Sequence, residues 1–182
     1  MMHHLVKAIE RLEKALRQKD VPRLKELSKD FIRSSALSND RSFSKLSMIA
    51  YSLNKLVLRK RILENPRWPK AEKMMLKELS KAAHAAERND ARRLEERLDM
   101  VTEHLNSVDE ELGRYVQSLE EKARVKMASN AYAFGLSLAS AASLTGADIK
   151  EVQNYVGWTK MHDEEGVTLG IAPRLKKLRE VI

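Results

Sequence analysis

The chain has 182 residues, 43% of them hydrophobic and 5% aromatic, which suits one domain or two small ones around a mostly aliphatic core. Cysteine is absent, which excludes disulfides and thiolate metal sites and fits a reducing, cytoplasmic setting. The net charge of +8 is uneven: residues 1–70 hold 17 Lys or Arg against 7 Asp or Glu, a net +10, while residues 71–182 hold 17 against 19, a net −2. A basic excess of this kind favours an anionic partner such as DNA, RNA or an acidic protein.

Nearly every segment has helical period. Met1-Met2-His3-His4 leads straight into an amphipathic stretch, with no signal-peptide apolar run. Leu5, Ile9, Leu12 and Leu16 line one face of a first helix over about 3–18. Asp20 caps a second, which tolerates Pro22 in its first turn and carries Leu24, Leu27 and Phe31 inward. Asn39-Asp40 ends that stretch. A third helix is predicted from about Ser42 to Leu63, with Leu46, Ile49, Leu53 and Leu56 inward. Pro66 and Pro69 then forbid a continuous helix, and Pro69 starts the fourth, with Met75, Leu79, Ala82 and Ala86 inward. After a turn at Asn89-Asp90, a fifth helix buries Leu94, Leu98, Val101 and Leu105. Ser107 and Glu110 form a capping box for a sixth, running through Ala123 to Phe134. Thr159–Gly170 reads as a loop, and Pro173 opens a short basic terminal helix with Leu175 and Leu178 inward.

Residues 20–26 and 90–96 echo each other at a separation of 70, each at the turn of a helical hairpin. The chain divides accordingly into a basic N-terminal hairpin region over 1–66, a central hairpin or bundle over 69–122, and a C-terminal unit over 123–182. The uncharged run 127–147 is too rich in Ser and Gly for a membrane span and reads as a small-residue packing surface. The high Lys, Arg and Glu content with few Gly is thermophile-like.

The most informative stretch is Gly135 to Gly157. Ser137 is an N-cap behind a helix-breaking Gly135, Ala141 and Ala142 allow two helices to cross closely, and Gly146 supplies a tight turn. Asp148 caps a second short helix in which Val152 and Tyr155 face inward beside Ile149. These residues resemble helix-turn-helix proteins, whose pattern is roughly G-x-S, a small pair, G, then V-x-x-Y. The likeness covers 123 to about 158 and is close in flavour to small archaeal predicted helix-turn-helix regulators. It implies that Ile149–Trp158 enters the major groove, presenting Lys150, Gln153 and Asn154 to bases and phosphates. Asp148 and Glu151 flank Lys150, so this helix is not basic by itself.

Two other clusters carry possible chemistry. Arg59, Lys60 and Arg61, followed by Arg67 and Lys70 around Trp68, can grip phosphates; an exposed indole there would offer a stacking face, a buried one would join the hairpins. Arg97 and His104, seven apart on one helical face, resemble the Arg–His motif of the all-helical HEPN-type ribonucleases, although Leu98 replaces a polar residue. His162-Asp163-Glu164-Glu165 is a run of adjacent side chains, read as a solvated acidic loop with no metal. No phosphate loop, dinucleotide fingerprint or nucleophile elbow occurs, and no cofactor is expected.

The expected protein is all-α: a bundle of helical hairpins with a C-terminal tri-helical unit of helix-turn-helix type. The expected function is DNA-binding regulation by a homodimer without enzymatic activity. A non-enzymatic helical interaction module is the alternative, and a HEPN-like ribonuclease a further one.

Overall fold

A computed structural model describes residues 2–106 and 110–158, with side chains for 3–106 and 120–157. The described residues form helices and turns only. In chain order these are α1 (Met2–Arg17), α2 (Val21–Ser38), α3 (Arg41–Val57), the one-turn α4 (Lys60–Leu63), α5 (Trp68–Glu87), α6 (Ala91–Asn106), α7 (Glu110–Ala133), α8 (Leu138–Thr145) and α9 (Ile149–Trp158). The chain is therefore an all-α helical bundle. The capping-box residue Ser107, the acidic run 162–165 and the terminal helix from Pro173 lie outside the described residues.

Three helix junctions share one chemistry. Lys19, Asn39 and Asn89 take left-handed φ values of 50°, 52° and 56°, and each is followed by an aspartate. Asp20 accepts from the Arg23 N–H at 3.0 Å, Asp40 from Ser42 at 2.8 Å and Asp90 from Arg93 at 3.0 Å. The left-handed residue ends one helix while the carboxylate satisfies free N–H groups of the next. The echo at 20 and 90 is structural too. Asp20 N–H donates to Ala15 and Asp90 N–H to Ala85, at 3.0 and 2.9 Å, closing matching Schellman turns.

The expected inward residues of α1, α2, α3, α5 and α6 are all buried in one apolar cluster running from Leu5 to Leu105. Pairing within it differs from two sequential hairpins. α5 and α6 pack along each other, but α1 lies mainly against α5, and α2 takes α3 as its partner. Serines explain the α2–α3 pairing. Ser28, Ser35, Ser44 and Ser47 are buried there, small enough for close approach. Ser47 Oγ donates to the Ser28 carbonyl at 2.6 Å, and Ser35 Oγ to that of Asp40 at 2.7 Å.

The predicted third helix is interrupted. α3 stops at Val57, Leu58 is 60% exposed, and Arg59 is extended before α4 begins. Phase is the reason. Continuing the inward stripe of Leu53, Leu56 and Val57 by one turn would point Lys60 and Arg61 into the core. The break re-phases the chain, burying Ile62 at 1% exposure and turning the three cations outward. Trp68 is likewise buried at 1% and fills the joint between α4 and α5, so it offers no stacking face.

One carboxylate sits inside this bundle. Glu78, its side chain 3% exposed, is held by Lys81 at 2.7 Å and by Arg97 at 3.0 Å. Burial pushes its carboxyl up, but the hydrogen bonds and charges of Lys81 and Arg97 outweigh this and hold it below the ordinary carboxylate range. With the folded value depressed, the unfolded chain takes up the proton first as pH falls. The ionic contribution is complete above the ordinary carboxylate range and is lost as pH drops through the folded value. Glu78→Gln should therefore cost about 1–3 kcal/mol at neutral pH, and the gap from the unsubstituted protein should close in acid. Urea denaturation of both proteins at neutral and acid pH measures this; a gap independent of pH would remove the ionic explanation.

Candidate nucleic-acid interface

The C-terminal unit begins where α7 ends. Gly135, at φ 109°, turns the chain out of α7, and Ser137 caps α8 by accepting from the Ser140 N–H at 3.1 Å. Ala141 and Ala142 of α8 are buried in a second apolar cluster with Met127, Ala128 and Ala131 of α7. These small residues let α7 and α8 cross closely, which accounts for the uncharged run. Gly146, at φ 70°, ends α8, and its N–H donates back to the Ala142 carbonyl. Asp148 then caps α9, accepting from the N–H groups of Lys150 and Glu151 at 2.9 and 3.1 Å. α9 packs on both α7 and α8, completing a tri-helical arrangement. Ile32 of α2 belongs to the same cluster, and Ala36, Met48 and Tyr51 pack against it, so the unit is seated on the α2–α3 pair.

On α9, Lys150, Gln153 and Asn154 are exposed together with Glu151, and Val152 is fully buried. Ile149, expected inward, is 43% exposed. The inner stripe of α9 runs through Val152 and the partly buried Val156, four residues apart, with Tyr155 half-buried at its edge. Ile149 follows directly after the Asp148 cap and falls outside that stripe.

Beside α9 lies an open groove of about 740 Å³, bordered by Tyr51 of α3, Val125 and Lys126 of α7, and Glu151, Asn154 and Tyr155 of α9. The Lys126 ammonium stands 5.7 Å from the centre of the Tyr155 ring, and Lys55 stands 5.5 Å from that of Tyr51. The sequence reading did not find this groove, because its walls come from three helices distant in sequence. Charge around α9 is balanced. Over 120–158, Lys122, Arg124, Lys126 and Lys150 face an equal number of carboxylates, Glu120, Glu121, Asp148 and Glu151.

The cations Arg59, Lys60 and Arg61 are exposed around α4, and Arg67 and Lys70 are exposed at the start of α5. Chain connectivity thus gathers these five at one joint. α4 and α5 pack on α1, α3 and α6, whereas α9 packs on α7 and α8, so the two groups of candidate contacts belong to different layers. Arg97 is engaged with the buried Glu78, and His104 lies half-buried two turns further along α6. No group of three or more metal-ligating side chains occurs among the described residues, and no helix among them is long and apolar enough to cross a membrane.

The two glycines of the α8–α9 segment should respond oppositely to alanine. Gly146→Ala meets only an ordinary contact with Arg124 at 3.7 Å, so its cost is the left-handed backbone, about 1–2 kcal/mol. At Gly157 nothing lies within 4 Å, and alanine should stabilise α9 by about 0.5 kcal/mol. Thermal denaturation of each variant checks both signs. Comparison with known proteins supplies no relative: no protein family, no curated protein and no solved structure matches the chain.

Proposed function

We propose that this protein is a small DNA-binding regulator that reads duplex DNA with α9. The carrying observation is that α9, capped by Asp148 and anchored by Val152, leaves Lys150, Gln153 and Asn154 together in solvent. Amide side chains suit adenine edges and lysine suits guanine or phosphate. With four cations against four carboxylates over 120–158, the surroundings of α9 add no net attraction, so in this reading phosphate affinity comes from elsewhere, from the Arg59–Arg61, Arg67 and Lys70 joint. A homodimer would place two copies of α9 on half-sites about 10–10.5 bp apart or a multiple of that.

The groove between α3, α7 and α9 favours a second reading, a helical interaction module without enzymatic activity. Its tyrosine and valine walls with a charged rim suit an amphipathic helix.

Selection from a random duplex pool by the full chain separates the two. The first reading expects an enriched sequence, lost in a Lys150→Ala/Gln153→Ala/Asn154→Ala variant. Each amide contact should be worth about 1–3 kcal/mol of discrimination. An absence of enrichment, or enrichment that survives all three substitutions, would reject α9 as the reader.

A further inference from the structure

The outward face of α5 carries a continuous row of basic side chains. Lys70, Lys73, Lys77, Lys81, His84 and Arg88 follow one another at steps of three or four residues, and all are exposed. That spacing stacks them along one side of the helix. With a rise of about 1.5 Å per residue, the row is about 27 Å long. The acids of α5, Glu72, Glu78 and Glu87, are displaced from its centre by roughly 80° or more, at about 100° per residue.

Two features separate this row from an ordinary solvated face. Solvated helix faces gain from alternating charge, whereas Lys70, Lys73, Lys77 and Lys81 repel one another in sequence. Lys70 also occupies the first turn of α5, where the macrodipole disfavours cations and no acid is present to offset it. Lys81 is paired with Glu78, but Lys70, Lys73, Lys77 and Arg88 have no acidic partner among the described residues. Cations of neighbouring helices border the row, each held by an acid of its own: Arg17 by Glu13, Arg93 by Asp90 and Arg97 by Glu78. Arg17 of α1 shares a groove of about 590 Å³ with Lys73 and Lys77. Arg93 and Arg97 of α6 share one of about 480 Å³ with His84 and Arg88.

We propose that the α5 row binds the sugar-phosphate backbone of a nucleic-acid duplex, independently of sequence. The charges are strung out rather than convergent, so they match a linear polyanion instead of one small anion. A duplex presents one phosphate charge per about 1.7 Å of its axis, enough to meet every cation in the row. A lipid surface fits poorly. Membrane-surface helices insert their apolar face, and that of α5 (Trp68, Met75, Leu79) is spent in the core. The proposal goes beyond reading by α9, since it needs no base contact.

The test is a salt titration of the full chain binding labelled duplexes of arbitrary sequence, one DNA and one RNA. Lys73→Gln/Lys77→Gln/Arg88→Gln is compared with Lys7→Gln/Lys25→Gln/Arg33→Gln, which removes equal charge from exposed positions on α1 and α2. Circular dichroism confirms that both fold. The row variant should bind either duplex at least tenfold more weakly, with the slope of log K against log salt reduced by about 2–3; the control should stay near the unsubstituted protein. Equal loss in both variants, or no duplex binding by the unsubstituted chain, would overturn the proposal. So would equal, row-dependent binding of phosphatidylserine vesicles or polyglutamate. The α9 triple variant should retain this binding, so failure of sequence reading and failure of the row are distinguishable.

Discussion

The close seam between α2 and α3 is the constraint on which the rest of the structure depends. At its centre the Ser47 hydroxyl donates to the Ser28 carbonyl at 2.6 Å and lies 2.8 Å from the Met127 sulfur of α7. Three helices thus meet at one small side chain. One side of the pair, through Leu24, Leu27 and Phe31, closes the large cluster shared with α1, α5 and α6. The other side, through Ile32, forms the seat of the α7–α9 unit. Larger residues at the buried serines would separate α2 from α3 and disturb both clusters together.

This arrangement divides the molecule into layers of different character. The layer of α1, α5 and α6 exposes uncompensated cations on α5 while keeping its single buried acid, Glu78, neutralised by Lys81 and Arg97. In the layer of α7, α8 and α9 the second apolar cluster holds no charged side chain, and over 120–158 cations and carboxylates are equal in number, with amides and a tyrosine-walled groove at the surface. In the proposed function, attraction to phosphates and discrimination among bases are thereby assigned to separate elements. Such separation is physically reasonable, because phosphate contacts position a protein and base contacts specify its site.

Much of the secondary structure could be read from residue pattern. Asp20 and Asp148 cap helices because a short carboxylate reaches the free N–H groups of a first turn; Asp40 and Asp90, legible only as turn residues, do the same. Gly146 ends α8 because a glycine enters the left-handed region without strain. The break at Leu58 was less legible. It follows from the phase of Leu53, Leu56 and Val57 against Lys60 and Arg61, a conflict that appears only when the core face of α3 is known. Ile149 failed for a similar reason: an i, i+3 spacing with Val152 and an i, i+4 spacing to Val156 are equally helical, and only the surface offered by α7 and α8 chooses between them.

The amino-acid sequence by itself determined the all-α class, the inward stripes of α1, α2, α3, α5 and α6, and the capped turn between α8 and α9. Those are local matters, governed by period, propensity and hydrogen bonding within a few residues. Tertiary packing decided that α2 pairs with α3 while α1 lies along α5, and that Trp68 is buried. It also brought Tyr51 across to Tyr155 and left the cationic edge of α5 in solvent. Such outcomes depend on which apolar faces meet, and a face can be read from one helix but its partner cannot.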